Sequence, residues 1–175
     1  FGEQFGGLQN VGAIDDFFPA PAAFRLSIVH INDHHSHLDA DDIDFLIDGV
    51  ETTFPLGSFP RVVTKFNELT SASENVLKLH AGDAMTGTLY YTLFEGQADA
   101  EMMNLICFDA FALGNHEFDS GDAGLAKFLD FLAAGNCDSP VLAANVLPEV
   151  GVSPLAPTSA TDYIQPYTIK DINGE

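Results

Sequence analysis

Three short apolar runs, at residues 24–31, 76–80 and 110–113, each end in a cluster of polar side chains suited to binding metal ions. The clusters are Asn32-Asp33-His34-His35, Gly82-Asp83 and Gly114-Asn115-His116-Glu117-Phe118-Asp119, and a segment with helical spacing lies beyond each. Strands alternating with helices predict an α/β fold, with helices flanking a mostly parallel sheet. Functional residues in such sheets gather beyond the carboxyl ends of the strands. The three clusters are therefore expected side by side on one edge.

The rest of the chain fits the same alternation. Phe59, Val62, Val63, Phe66 and Leu69 recur at helical spacing, and further helices are expected at 89–94, 98–106 and 123–134. Further strands are expected at 141–145 and 164–170, before a hairpin-type turn at Asn173-Gly174. Residues 39–56 carry Asp39, Asp41, Asp42, Asp44, Asp48 and Glu51, and read as a solvated acidic loop without the glycine of a calcium loop. Residues 1–23 read as an N-terminal arm that packs through Phe5, Phe17 and Phe18, and residues 24–175 as the N-terminal part of one domain, incomplete at its C-terminus.

Charge narrows the function. A net charge of −20, from 6 Lys and Arg against 26 Asp and Glu, argues against nucleic-acid binding through a basic patch and against docking on anionic membranes. No apolar run is long enough for a transmembrane helix. Cys107 and Cys137 each follow an expected helix and precede an expected strand, which puts both on one edge of the sheet. One disulfide and two buried thiols are both compatible with that placement.

The three clusters suit two-metal chemistry. On an extended tail, Asp33 and His35 point the same way and can grip one ion. The Asp83 carboxylate can bridge two ions, and the Asn115 carbonyl can reach the second. Two divalent ions roughly 3.5–4 Å apart clamp a phosphoryl group and activate water. His116 is placed to steady transition-state charge or to protonate a leaving oxygen, with Asp119 orienting its ring. His30 and His80 read as strand residues, His34 as pointing away from His35, and His37 as a cleft or solvent residue.

The stretches HINDHHSHLD (30–39), LKLHAGDAMTGTLYY (77–91), FEGQADAEMMN (94–104), DAFALGNHEFDSG (109–121) and LAANV (142–146) together resemble the N-terminal metallophosphoesterase domain of the 5′-nucleotidase family, within the calcineurin-like superfamily. The resemblance implies a calcineurin-like sandwich, present here as its N-terminal portion. It implies Asp33 and His35 on a first metal, Asp83 bridging both, Asn115 on the second, and His116 paired with Asp119 as the catalytic histidine. The metals are expected to be zinc or manganese, with iron or calcium as further options. The expected substrates are nucleotides or related phosphate esters.

The family completes its site with three later histidines, including a Gly-x-His-x-His element, and grips base and ribose with a C-terminal domain. No histidine follows His116 in this chain. The remaining ligands are thus expected from the rest of the same protein, or from another chain covering the sheet, and this piece alone is expected to be inactive. A secreted, periplasmic or cell-surface location is expected, in keeping with the strongly acidic composition. The alternative is a non-catalytic structural or interaction module of an extracellular assembly on the same fold.

Overall fold

The alternation of strands and helices is realised around one parallel sheet. The computed structural model describes residues 24–175; the expected arm at residues 1–23 lies outside the described residues. Strands β1 (Ser27–Ile31), β4 (Val76–His80), β5 (Ala110–Ala112) and β6 (Val141–Leu142) lie in the order β1-β4-β5-β6, every neighbouring pair parallel. Between them run α1 (Phe59–Ser71), α2 (Leu89–Phe94), α3 (Gln97–Asn104) and α4 (Gly121–Ala133), with a 3-10 turn at His116–Phe118.

Apolar spacing explains which faces are buried. On α4, Leu125, Phe128, Leu129 and Leu132 form the inward stripe, and on α1 Phe59 and Phe66 do so, backed by Val62 and Val63. Pro60 sits in the first turn of α1, where its missing N–H leaves no bond unmade. These stripes meet Val29, Ile31 and Phe111 from the sheet, with edge-to-face rings at Phe111–Phe128 (6.0 Å) and Phe66–Phe108 (5.4 Å). Among the described residues, the opposite sheet face is apolar and open. Leu26 and Ile28 are exposed there, beside a groove of about 410 Å³ lined in part by Phe24, Leu77, Leu79, Ala110 and Leu142.

Cys107 and Cys137 are joined in a disulfide, Cα atoms 5.2 Å apart, that ties the end of α3 to the approach to β6. Closing a loop of this length restricts the unfolded chain by about 3–4 kcal/mol in the chain-entropy description.

Two expectations are overturned. Residues 39–56 are not a loop but an antiparallel hairpin, β2 (Ala40–Ile47) and β3 (Val50–Gly57). Asp48 (φ 51°) and Gly49 (φ 81°) supply the left-handed pair that a tight two-residue turn requires. The register puts Ile43, Phe45, Ile47, Val50, Phe54 and Leu56 on one face and Asp42, Asp44 and Glu51 on the other. The acidic side chains disguised that alternation. Second, residues 164–170 do not form a strand: a single bridge joins Leu142 to Gln165. Pro166 has no N–H to continue the ladder. β6 is likewise shorter than its apolar run.

Candidate metal centre

The strands β1, β4 and β5 are neighbours, so the loops that leave their carboxyl ends meet. Residues 33–36 run along residues 82–84, with Asp33 N–H donating to Gly82 O (2.9 Å), His35 N–H to Asp83 O (3.2 Å) and Ser36 N–H to Ala84 O (2.9 Å). Gly82 makes the approach to the third loop possible. Its φ is 98°, and a Cβ there would stand 2.6 Å from Gly114 N.

The tail after β1 is not extended. Asp33 (φ 53°), His35 (φ 47°) and Ser36 (φ 53°) are left-handed, and so is Asp83 (φ 53°). Left-handed backbone in non-glycine residues is held only where the surroundings impose it, and it concentrates at functional sites. It is this coiling that brings the Asp33 carboxylate to 3.7 Å from His35 Nε2, in place of the alternation expected of a straight strand.

A buried carboxylate organises the backbone beneath. Glu117 is fully buried; its Oε2 accepts from Asp83 N–H (2.9 Å) and Gly114 N–H (2.6 Å), and its Oε1 from Ala84 N–H (2.6 Å). The sequence reading overlooked it. The available signal was the strand-end turns themselves, whose N–H groups need acceptors once they leave the ladder.

Donor atoms of His35, Asp83 and His116 all lie within 4.8 Å of one another. Asp83 Oδ1 also accepts from His116 N–H (3.0 Å), and the His35 and His116 rings stand edge to face at 4.9 Å. His116 Nδ1 bonds Asp119 Oδ2 at 2.8 Å, which leaves Nε2 free to face the cluster. Asn115 opens the 3-10 turn, is exposed, and accepts Phe118 N–H through its backbone carbonyl (3.1 Å). The structure thus gathers Asp33, His35, Asp83, His116 and Asp119, and Asn115 is the chain neighbour of His116. Imidazole nitrogen and carboxylate oxygen suit zinc, manganese or iron, so the donor set fits the metals expected.

Electrostatics favour the charged forms at the surface of this cluster. The Asn32 amide holds the Asp33 carboxyl below its ordinary value, helped by Asp83 and His35. The hydrogen bond that His116 donates to Asp119 raises the His116 imidazole, with the charges of Asp119, Asp83 and Glu117 adding to it.

Below the cluster lies a second arrangement, also missing from the sequence reading. His80 Nδ1 accepts from Gly82 N–H (3.1 Å), His80 Nε2 meets His34 Nδ1 (2.9 Å), and His34 Nε2 meets Asp99 Oδ1 (3.1 Å). Ser36 Oγ donates to Asp99 Oδ2 at 2.9 Å. The signal was Asp99 itself, which shares a helical stripe with Met103 and Ile106 and so puts a carboxylate on an apolar face.

Burial, and then the neighbouring His34, push the His80 imidazole down to about 3. In the unfolded chain it takes a proton near its ordinary value of about 6.5, so stability is fully present above that pH and is lost as pH falls towards 3. The loss approaches about 1.4 kcal/mol per pH unit in that window. Melting temperatures measured against pH should show this acid limb, and His80→Asn, which keeps an acceptor for Gly82 N–H but does not titrate, should flatten it. An unchanged slope would refute the assignment.

The calcineurin-like phosphoesterase family matches residues 26–174. The NAD 5′-nucleotidase of Haemophilus influenzae is 45% identical over 156 residues, which are 89% of this chain and 24% of that protein. A probable 5′-nucleotidase of Treponema pallidum is 49% identical over 125 residues, 71% of this chain and 20% of that one. The chain therefore spans about a quarter or less of the length of these curated relatives. Among solved structures, the Haemophilus influenzae NAD nucleotidase superposes with a TM-score of 0.74 at 46% identity, covering 86% of this chain and 28% of that one. The 5′-nucleotidase precursor of Thermus thermophilus does so at 0.67 and 35% identity, covering 86% and 27%.

Proposed function

The chain belongs to the calcineurin-like phosphoesterase family, and from that premise we propose that it is the N-terminal, metal-holding portion of a phosphoester hydrolase acting on nucleotides or related phosphate esters. The observation that carries the proposal is the convergence of His35, Asp83 and His116 within 4.8 Å at the carboxyl edge of the sheet, with the Asp33 carboxylate beside them. Asp33, His35 and Asp83, with Asn115 next to them, are the residues that would hold two divalent ions. Ions held there supply positive charge to the phosphoryl oxygens and make water a better nucleophile at neutral pH.

The chain's own groups do the rest. Asp33, kept ionised by the Asn32 amide, offers full negative charge to a cation. His116 is kept basic by Asp119, so it carries a proton at neutral pH more readily than a free imidazole. From Nε2 it can donate that proton to a departing oxygen or balance charge on the phosphoryl group. The remaining ligands and the contacts to base and ribose come from outside this chain, and the isolated piece is inactive. A secreted, periplasmic or surface location is supported by the Cys107–Cys137 disulfide, a bond characteristic of oxidising compartments.

Substrate choice follows the names of the relatives: a nucleoside monophosphate and NAD are the first esters to try. The intact polypeptide, stripped of metal by a chelator, should lose hydrolysis of both and recover it with zinc or manganese. Full activity in the stripped protein would overturn the proposal.

A further inference from the structure

His34, His80 and Asp99 form a chain whose every proton is placed by one backbone group. Gly82 N–H can only donate, so His80 Nδ1 is an acceptor and its proton lies on Nε2. His80 Nε2–H then donates to His34 Nδ1, which puts the His34 proton on Nε2, where it donates to Asp99 Oδ1. Ser36 O–H donates to Asp99 Oδ2. His80, Ser36 and Asp99 are fully buried and His34 nearly so. Asp99 also lies in the first turn of α3, where the helix dipole favours a carboxylate. No donor or acceptor along the chain is left over.

The location of this chain matters more than its balance. His34 stands between Asp33 and His35, and His80 precedes Gly82-Asp83 by two residues. The chain therefore lies directly beneath the seam where the two loops run together, on the buried side, while Asp33 and Asp83 reach outward. Ser36 fastens the far end of the same tail to the same carboxylate, and Thr88 Oγ1 donates to Ser36 O at 2.6 Å. The left-handed backbone at Asp33, His35 and Ser36 is held by the backbone bonds to residues 82–84, and the side-chain relay adds a second hold from beneath.

We propose that His34, His80 and Asp99 are positioning residues, a buried relay that holds the Asp33–His35 loop against the Gly82-Asp83 loop in the spacing that takes metal ions. The inference rests on the metal reading of the site given above. None of the three touches a metal; they act through the loops, as groups behind a ligand shell do.

Zinc and manganese affinity of the metal-free intact polypeptide, read by competition with a chromophoric chelator, tests it. His34→Leu strands the His80 N–H and the Asp99 carboxylate and should weaken binding by about 10–100-fold, the range seen when groups behind metal ligands are removed. His34→Gln offers one acceptor and one donor in a side chain of similar reach, and should stay within about 3-fold of the parent protein, since it keeps both bonds. Leu129→Ala, a core truncation on α4 away from the site, should lower the melting temperature and leave affinity unchanged. Unaltered affinity in His34→Leu, equal weakening in His34→Gln, or equal weakening in Leu129→Ala would each overturn the relay. If His34→Leu does not fold, Ser36→Ala removes a single hydrogen bond to Asp99 and should weaken binding by about 3-fold or more, in line with one lost polar contact; no change there would overturn it too. A parent protein that binds neither ion would instead defeat the metal reading beneath it.

Discussion

Asp83→Ala in the intact protein is expected to lower phosphate-ester hydrolysis by about 10³-fold or more, the scale of losing a principal electrostatic element of a transition state. The reason is that Asp83 has two duties. Its carboxylate lies among the His35 and His116 nitrogens, and its Oδ1 also accepts the backbone N–H of His116. Truncation removes a group proposed to hold metal and frees the histidine proposed to handle the proton. Asp119→Asn should behave differently. It leaves the proposed metal-holding set intact and replaces the carboxylate whose hydrogen bond, and then whose charge, raises His116, so the rate should fall by about 10–100-fold with metal affinity unchanged. Steady-state kinetics with added zinc or manganese would separate the two, because excess metal should not rescue Asp119→Asn. Equal losses in both variants, or activity retained in Asp83→Ala, would refute the assigned roles.

The largest effect on stability is expected at Glu117. Glu117→Leu strands the buried N–H of Ala84 and the half-buried N–H groups of Asp83 and Gly114 without their acceptor. At about 1–3 kcal/mol for each unsatisfied group, the loss should reach about 3–9 kcal/mol. That is a large share of the 5–15 kcal/mol that typically separates a folded domain from its unfolded chain, in round terms about half. Glu117→Gln retains one oxygen and should lose less. Urea unfolding of the intact protein measures both, and a Glu117→Leu loss below about 1 kcal/mol would mean the three groups find other partners. The position is not interchangeable with Asp119, two residues on, whose carboxylate is exposed and bonded to one imidazole.

The elements that could be read from the chain are those whose pattern is local. The stripe of Leu125, Phe128, Leu129 and Leu132 announces α4, and the run from Val76 to His80 is β4 residue for residue. The placement of the three clusters on one edge also follows from strand order alone. The hairpin at 40–57 was legible in principle, from Asp48-Gly49 and the alternation around it, but its acidic residues argued for solvent. The strand expected at 164–170 fails at Pro166, which weighs more than the β-branched residues around it.

Within the site, the polar residues of each cluster were recognisable by type, while their geometry was not. Left-handed backbone at Asp33 and His35 depends on bonds to residues 82–84, which no local rule anticipates. Glu117 looked like one acidic residue among 26 Asp and Glu. His34, His80 and Asp99 lie on three separate segments, and only packing reveals that they belong together.

The same bonds have a temporal meaning. Asp83 and Glu117 are 34 positions apart, His34 and His80 46, and Ser36 and Asp99 63. Contacts between such distant positions are the slow ones to form, because each requires closing a long loop first. The helices can appear early from their own stripes, but the three strand-end loops acquire their shape only after β1, β4 and β5 lie side by side. The proposed metal centre would therefore take shape at the end of folding, as one event rather than loop by loop.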